Sequence, residues 1–148
     1  MDISKSIFGC KLSNISDRIR SNASQSEPHL FRLGTVLIIS YIGFYLLNFI
    51  YAAPGGYENL TLRLIIGFLG LVCILHNKLP QLAKKHFAIL FHFILCFSFP
   101  FFFSFMLFMN QNSNIWQVNG LVGFVLLSLF VDWISFVTLS LIGVIAAY

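Results

Sequence analysis

Charge is scarce in this chain. Only 9% of its 148 residues are Asp, Glu, Lys or Arg, and between Leu33 and Tyr148 there are six: Glu58, Arg63, Lys78, Lys84, Lys85 and Asp132. They stand between apolar runs rather than inside them. In water a fold this apolar would lack polar surface to cover its core. In lipid the costly feature is a charge at bilayer depth, so charges retreat to the boundaries. A hydrophobic fraction of 58% with 18 Phe also excludes disorder, a nucleic-acid module and an ordinary cytosolic domain. The net charge of +4 lies mostly in two blocks flanking apolar runs, where topology accounts for it and no nucleic-acid partner is called for.

Other absences narrow the chemistry. Three cysteines are too few for a disulfide framework, and Cys73 and Cys96 fall inside apolar runs, where they read as small packing residues. Ile7-Phe8-Gly9-Cys10 is similar to a lipoprotein cleavage box, but nothing apolar of the needed length precedes it. The first 32 residues carry Asp2, Lys5, Lys11, Asp17, Arg18, Arg20, Glu27 and Arg32 and no secretory h-region, so the first span is expected to act as the insertion signal. His29, His76 and His86 lie at or beyond span ends and His92 is alone in its helix, so no metal, haem or other cofactor is expected. Ion transport would need an ionisable group at mid-bilayer, but Arg63 and Asp132 both lie near span boundaries and no carboxylate partners either there. No Walker loop, nucleophile elbow, HExxH pair or EF-hand run occurs, and the chain is not read as an enzyme.

The pattern that is present predicts an all-α fold, a polytopic helical membrane bundle of about five transmembrane helices. Residues 1–32 form a basic, Ser/Asn-rich tail on the cytoplasmic side. Ile7, Leu12, Ile15 and Ile19 would put one face of a short helix on a membrane surface; a mobile tail is the alternative. Residues 33–148 form the transmembrane domain. Its first span, 33–53, is uncharged and stopped by Pro54-Gly55-Gly56. The second, 60–75, carries Arg63 near one end, placed to snorkel to headgroups. The third, 87–109, holds ten Phe and Pro100, where a kink is expected. A helix over all of 115–148 would reach ~51 Å, too long for a ~30 Å core. That segment is read as spans 115–131 and 133–148 turning at Asp132-Trp133, with one long bent helix as the alternative. Five Lys and Arg in the tail and three in the 77–86 loop, against Arg63 opposite, predict a multi-pass inner-membrane protein with its N-terminus in the cytoplasm.

Phe97, Phe99, Phe101, Phe102, Phe103 and Phe105 surround Pro100 and meet a polar loop, 110–114, ahead of Trp116. Such a set suits an amphiphilic ligand, its tail among rings and its head near the interface. The rings equally suit lipid contact or bundle packing, and Trp116 and Trp133 suit interface anchors. Asn119 stands just inside the fourth span, where an amide needs a partner helix, a water or a ligand.

Three stretches taken together carry a family resemblance. They are Glu27-Pro28-His29; Tyr57-Glu58-Asn59-Leu60-Thr61-Leu62-Arg63 with Lys78-Leu79-Pro80; and Phe99-Pro100-Phe101-Phe102-Phe103-Ser104-Phe105-Met106 with Met109-Asn110 and Ser113-Asn114-Ile115-Trp116. In this order and spacing, residues 26–148 resemble the membrane sensor domain of the α-hydroxyketone quorum-sensing receptor histidine kinases. The resemblance implies a site inside the bundle for a medium-chain hydroxyketone autoinducer. Trp116 would line it, with Asn119, Phe99 and Phe102. The family position matching Asn119 is expected to hold a small hydroxyl residue, so an amide there alters the headgroup expected. Tyr57, Glu58, Asn59, Arg63 and Pro100 would be structural, Glu58 and Arg63 tying the extracytoplasmic end by a charge-assisted bond.

Family receptors continue through a further span into a cytoplasmic kinase with a phosphoacceptor His. This sequence holds neither. The expectation is therefore a sensor domain in two-component signal transduction without its own output: truncated, separately encoded, or a remnant. It would work as a homodimer or as a modulator of a full-length receptor. A structural or partner-binding membrane protein without a ligand is the alternative, and a transporter subunit the third.

Overall fold

The computed structural model describes the backbone of residues 3–51, 57–110 and 113–148 and the side chains of 15–47, 57–110 and 113–148. The turn expected at Pro54-Gly55-Gly56, the last residues of span 33–53, and Gln111 and Asn112 lie outside the described residues, as do the side chains of Ile7, Cys10 and Leu12.

The chain is all-helical, with no strand among the described residues. Helix α1 (Ile3–Ser26) runs through a 3-10 turn, Glu27–His29, into α2 (Leu30–Tyr51). Then follow α3 (Leu60–Ile74), a short α4 (Gln81–Lys85), α5 (Phe87–Cys96), a π-helical segment (Phe97–Phe101), α6 (Phe102–Met109), α7 (Asn114–Ser128) and α8 (Trp133–Ala147). Two helical runs, Ile15–Leu47 and Phe87–Met109, are long and apolar enough to cross a membrane. The others, α3, α7 and α8, are 15 residues each, about 22 Å at ~1.5 Å per residue.

Helix starts have local causes. Asn59 caps α3, its side-chain oxygen accepting from the Leu62 N–H at 3.0 Å. Ser113 caps α7. Asp132 has extended backbone angles and accepts from the Ile134 N–H at 3.2 Å. An N-cap thus ends one apolar helix and starts another without Gly or Pro, and 115–148 is a pair of helices meeting at that turn.

Contacts give the helices alternating direction. Gly34 of α2 meets Gly70 of α3 so closely that a Cβ on Gly70 would lie 2.8 Å from the Gly34 carbonyl oxygen. Ile42 covers Gly67, and the Tyr41 carbonyl reaches Arg63, so α2 and α3 pack antiparallel through small residues. The α5–π–α6 rod is central and carries Phe91, Ile94, Leu95, Phe102 and Met106, all fully buried. Along α8, Leu139 lies against Cys96, Gly143 against Pro100 and Tyr148 against Phe108, so α8 runs parallel to that rod. A Cβ at Gly143 would stand 2.7 Å from two Pro100 ring carbons and 2.8 Å from the Phe101 backbone nitrogen.

Pro100 sits in the π segment, where the Phe102 N–H reaches back to the Phe97 carbonyl. Widening the helix by one residue makes room for the pyrrolidine ring that an α-helix would push into the preceding turn. The Tyr41 hydroxyl donates to the Ser98 carbonyl in this stretch.

The boundary expected between residues 32 and 33 falls inside continuous helix. Ala23 and Leu30 are buried with Asn22 and Ser26, so residues 22–30 dock on the bundle, whereas Ile15 is exposed. The reason is a polar one: Asn22 bonds to Asp132, Ser135 and His92, holding α1 against α5 and the α7–α8 turn.

Candidate functional site

Arg63 organises one end of the bundle. It lies in the first turn of α3 and is 3% exposed, so it points inward rather than snorkelling outward. The difference follows from its partners. Its Nε donates to Glu58 Oε2 at 2.9 Å and Nη2 to Oε1 at 3.1 Å, while Nη1 donates to the Tyr41 carbonyl at 3.0 Å. Its guanidinium carbon sits 5.5 Å from the Phe102 ring centre and 5.8 Å from that of Trp116. A carboxylate, a carbonyl and two π faces together replace the hydration it gives up. These bonds engage three N–H groups, and a guanidinium has five.

Two further anchors frame the site. Tyr57 and Asn110 pair backbone to side chain, the Tyr57 N–H donating to Asn110 Oδ1 at 2.8 Å and Asn110 Nδ2 donating to the Tyr57 carbonyl at 3.0 Å. Asn59 Nδ2 donates to the Tyr57 hydroxyl at 2.9 Å. Tyr57, Glu58 and Asn59 thereby fix the entry to α3 against the end of α6.

The residues read from sequence as ligand contacts divide. Phe102 and Trp116 meet edge to face at 6.2 Å, both buried, with Arg63 over both. Trp116 therefore faces the interior, and Trp133, 73% exposed, is the outward indole. Phe99 is buried one turn from Phe102 along the same rod. Asn119 is half-buried on α7, and its side chain makes no hydrogen bond among the described residues. Phe97, Phe101 and Phe105 stack in a ladder on a half-exposed face, away from Trp116.

Three residues were not legible as site residues. Tyr41 joins the parts: its carbonyl takes Arg63, its hydroxyl reaches Ser98, and its ring meets Phe102 at 4.8 Å. A tyrosine in an apolar run needs a partner for its hydroxyl, and that was the available signal. Ser98 is fully buried, and its Oγ has no hydrogen-bond partner among the described residues. Gly120, one turn beyond Trp116, is buried, yet a Cβ there would meet no atom within 4 Å. Room for at least a methyl group therefore remains at this position of α7, one turn from Trp116. Among the described residues no group of three His, Cys, Asp or Glu side chains gathers as metal ligands would.

The far end of the bundle is polar. Asp132 Oδ1 accepts from Asn22 Nδ2 at 2.8 Å and Ser135 Oγ at 2.7 Å, and Oδ2 from the Ile134 N–H and from Arg18 at 3.1 Å. Partial burial pushes the Asp132 carboxyl up, but the bonds from Ser135, Asn22 and the Ile134 and Ser135 backbone outweigh it and hold the group well below the usual carboxylate range.

No protein-family model, curated protein or solved structure matches this chain.

Proposed function

We propose that the chain is a multi-pass membrane domain of five spans whose Arg63 end binds an amphiphilic, carbonyl-bearing small molecule, in the manner of a hydroxyketone receptor. Support for the bilayer is the outer surface. Phe31, Ile39, Phe44, Phe68, Ile115 and Val125 are all exposed, on three different helices. Only 28% of the most apolar stretch of Ile15–Leu47 is buried, whereas a soluble protein's core helix would be covered. The shorter helices need a thinned bilayer or their apolar flanks to complete a crossing. Arg18, Arg20 and Arg32 share one end with Lys78, Lys84 and Lys85, which supports reading that end as the cytoplasmic one.

The observation that carries the binding reading is the buried Arg63 under Trp116 and Phe102. Its two remaining N–H donors would suit a ketone oxygen, Asn119 and Ser98 would supply further polar atoms, and the open space at Gly120 would receive the start of an alkyl chain. The protein itself performs no chemistry in this reading. Its output passes to a partner, either a second copy or a full-length receptor.

The test is titration of purified protein in nanodiscs with α-hydroxyketones of increasing chain length. A Trp133→Phe background leaves Trp116 as the fluorophore. Saturable quenching that Gly120→Leu abolishes is the expected result. Absence of saturable binding, or binding unchanged in Trp116→Ala by a label-free readout, refutes it. A lateral structural role would instead give a stoichiometric crosslinked partner through the exposed α7 face at Val118, Leu121 and Val125, with no ligand effect.

A further inference from the structure

A polar cleft of about 470 Å³ opens at the opposite end, between α1 and the turn joining α7 to α8. Its inner wall is Asn22 and Ser26, each 5% exposed. Both are committed inward, Asn22 to Asp132 and Ser26 Oγ to the Phe130 carbonyl. Its lip is Arg18, Ser21, Gln25 and His29.

Among the described residues the lining of this cleft has one arginine, Arg18, and one carboxylate, Asp132, and of the two it is Arg18 that can be redirected. Asp132 keeps the Asn22, Ser135 and Ile134 donors if Arg18 leaves, so the carboxylate does not depend on it. The Arg18–Asp132 pair is open to water, with side chains 48% and 31% exposed. It also engages only one of the five guanidinium N–H groups. The cleft's edge turns apolar at Leu129, which lines it and is 72% exposed, and continues to Trp133 just outside, 73% exposed. A ligand seated here would have a polar head on α1 and an apolar body over α7 and α8. The volume lies within the ~300–1,000 Å³ of ordinary ligand sites.

We propose that this cleft holds the phosphate-bearing headgroup of an anionic phospholipid. Arg18 is its charged contact, Ser21, Gln25 and His29 its further polar contacts, and its acyl chain runs over Leu129 and Trp133. The proposal rests on the bilayer part of the functional reading and is independent of any hydroxyketone. It fastens α1 to the membrane surface by a lipid that also touches the α7–α8 turn.

The experiment is native mass spectrometry of the full chain released from nanodiscs containing equal phosphatidylglycerol and phosphatidylcholine. The wild type is expected to retain phosphatidylglycerol selectively. Arg18→Gln should lower that retention roughly fivefold, the equivalent of one basic side chain's attraction to an anionic surface. Arg20→Gln, on the same helix but outside the cleft, should leave it unchanged. Ser21→Leu crowds the lip without touching the Asp132 cluster and should give the same loss as Arg18→Gln. Equal losses in the Arg18 and Arg20 variants, or equal retention of both lipids, overturn the site. Binding of soluble glycerophosphoglycerol with no retained lipid overturns the lipid assignment in favour of a free phosphate ester.

Discussion

Removing Glu58 should cost far more than its position at a helix entry suggests. The partner it leaves, the Arg63 side chain, is 4% exposed, so water cannot replace the carboxylate. Breaking a buried pair from one side costs about 3–5 kcal/mol. Glu58 itself is 23% exposed and gives back part of its own desolvation. The Tyr41 carbonyl and the two rings also stay on the cation. Glu58→Ala is therefore placed near the low end, at about 3 kcal/mol. Arg63→Met leaves a carboxylate that can hydrate and a chain that fills the same space, for about 1–2 kcal/mol. The double variant Glu58→Gln/Arg63→Met removes both charges and should cost about 1 kcal/mol or less. Thermal unfolding in detergent reads this as a Tm drop of roughly 6–12 °C for Glu58→Ala, taking about 2–4 °C per kcal/mol. Equal losses in the two single variants, or a double variant equal to their sum, would refute an interior charge held by that pair.

The glycines make a matched contrast. Gly143→Ala drives a methyl into the Pro100 ring and the Phe101 backbone and should destabilise by about 1–3 kcal/mol, whereas Gly120→Ala meets open space and should be neutral or stabilising in the same melt. Asp132 sets an acid limb. Its depressed pKa contributes stability that is present above the ordinary value of 3.8 and lost as pH falls toward the lower folded value. The stability gap between wild type and Asp132→Asn should thus be flat above about pH 5 and narrow below it. Tyr41→Phe should cost about 1 kcal/mol, the ordinary worth of the lost bond to the Ser98 carbonyl, and no circular-dichroism change is expected.

Helical class, the approximate apolar segments and the break at Asp132 follow from sequence because each rests on local causes: run length, an N-cap, and charges kept out of apolar stretches. The family resemblance singled out Trp116 and Phe102 as ligand contacts and Glu58 and Arg63 as a structural pair, but not as one cluster. What only the tertiary structure decided is direction and partnership. Arg63 could have turned to headgroups or inward, and its orientation depends on Tyr41, 22 residues away, and on rings from two other helices. Residues 1–32 read by composition as a surface helix or a mobile tail, yet Asn22 ties that segment to Asp132 at a separation of 110 residues. Hydrophobicity and capping act within a turn or two of helix and can be read along the chain. The pairing of a buried polar atom is chosen by whichever distant atom the packing brings within about 3 Å, and no local pattern records it.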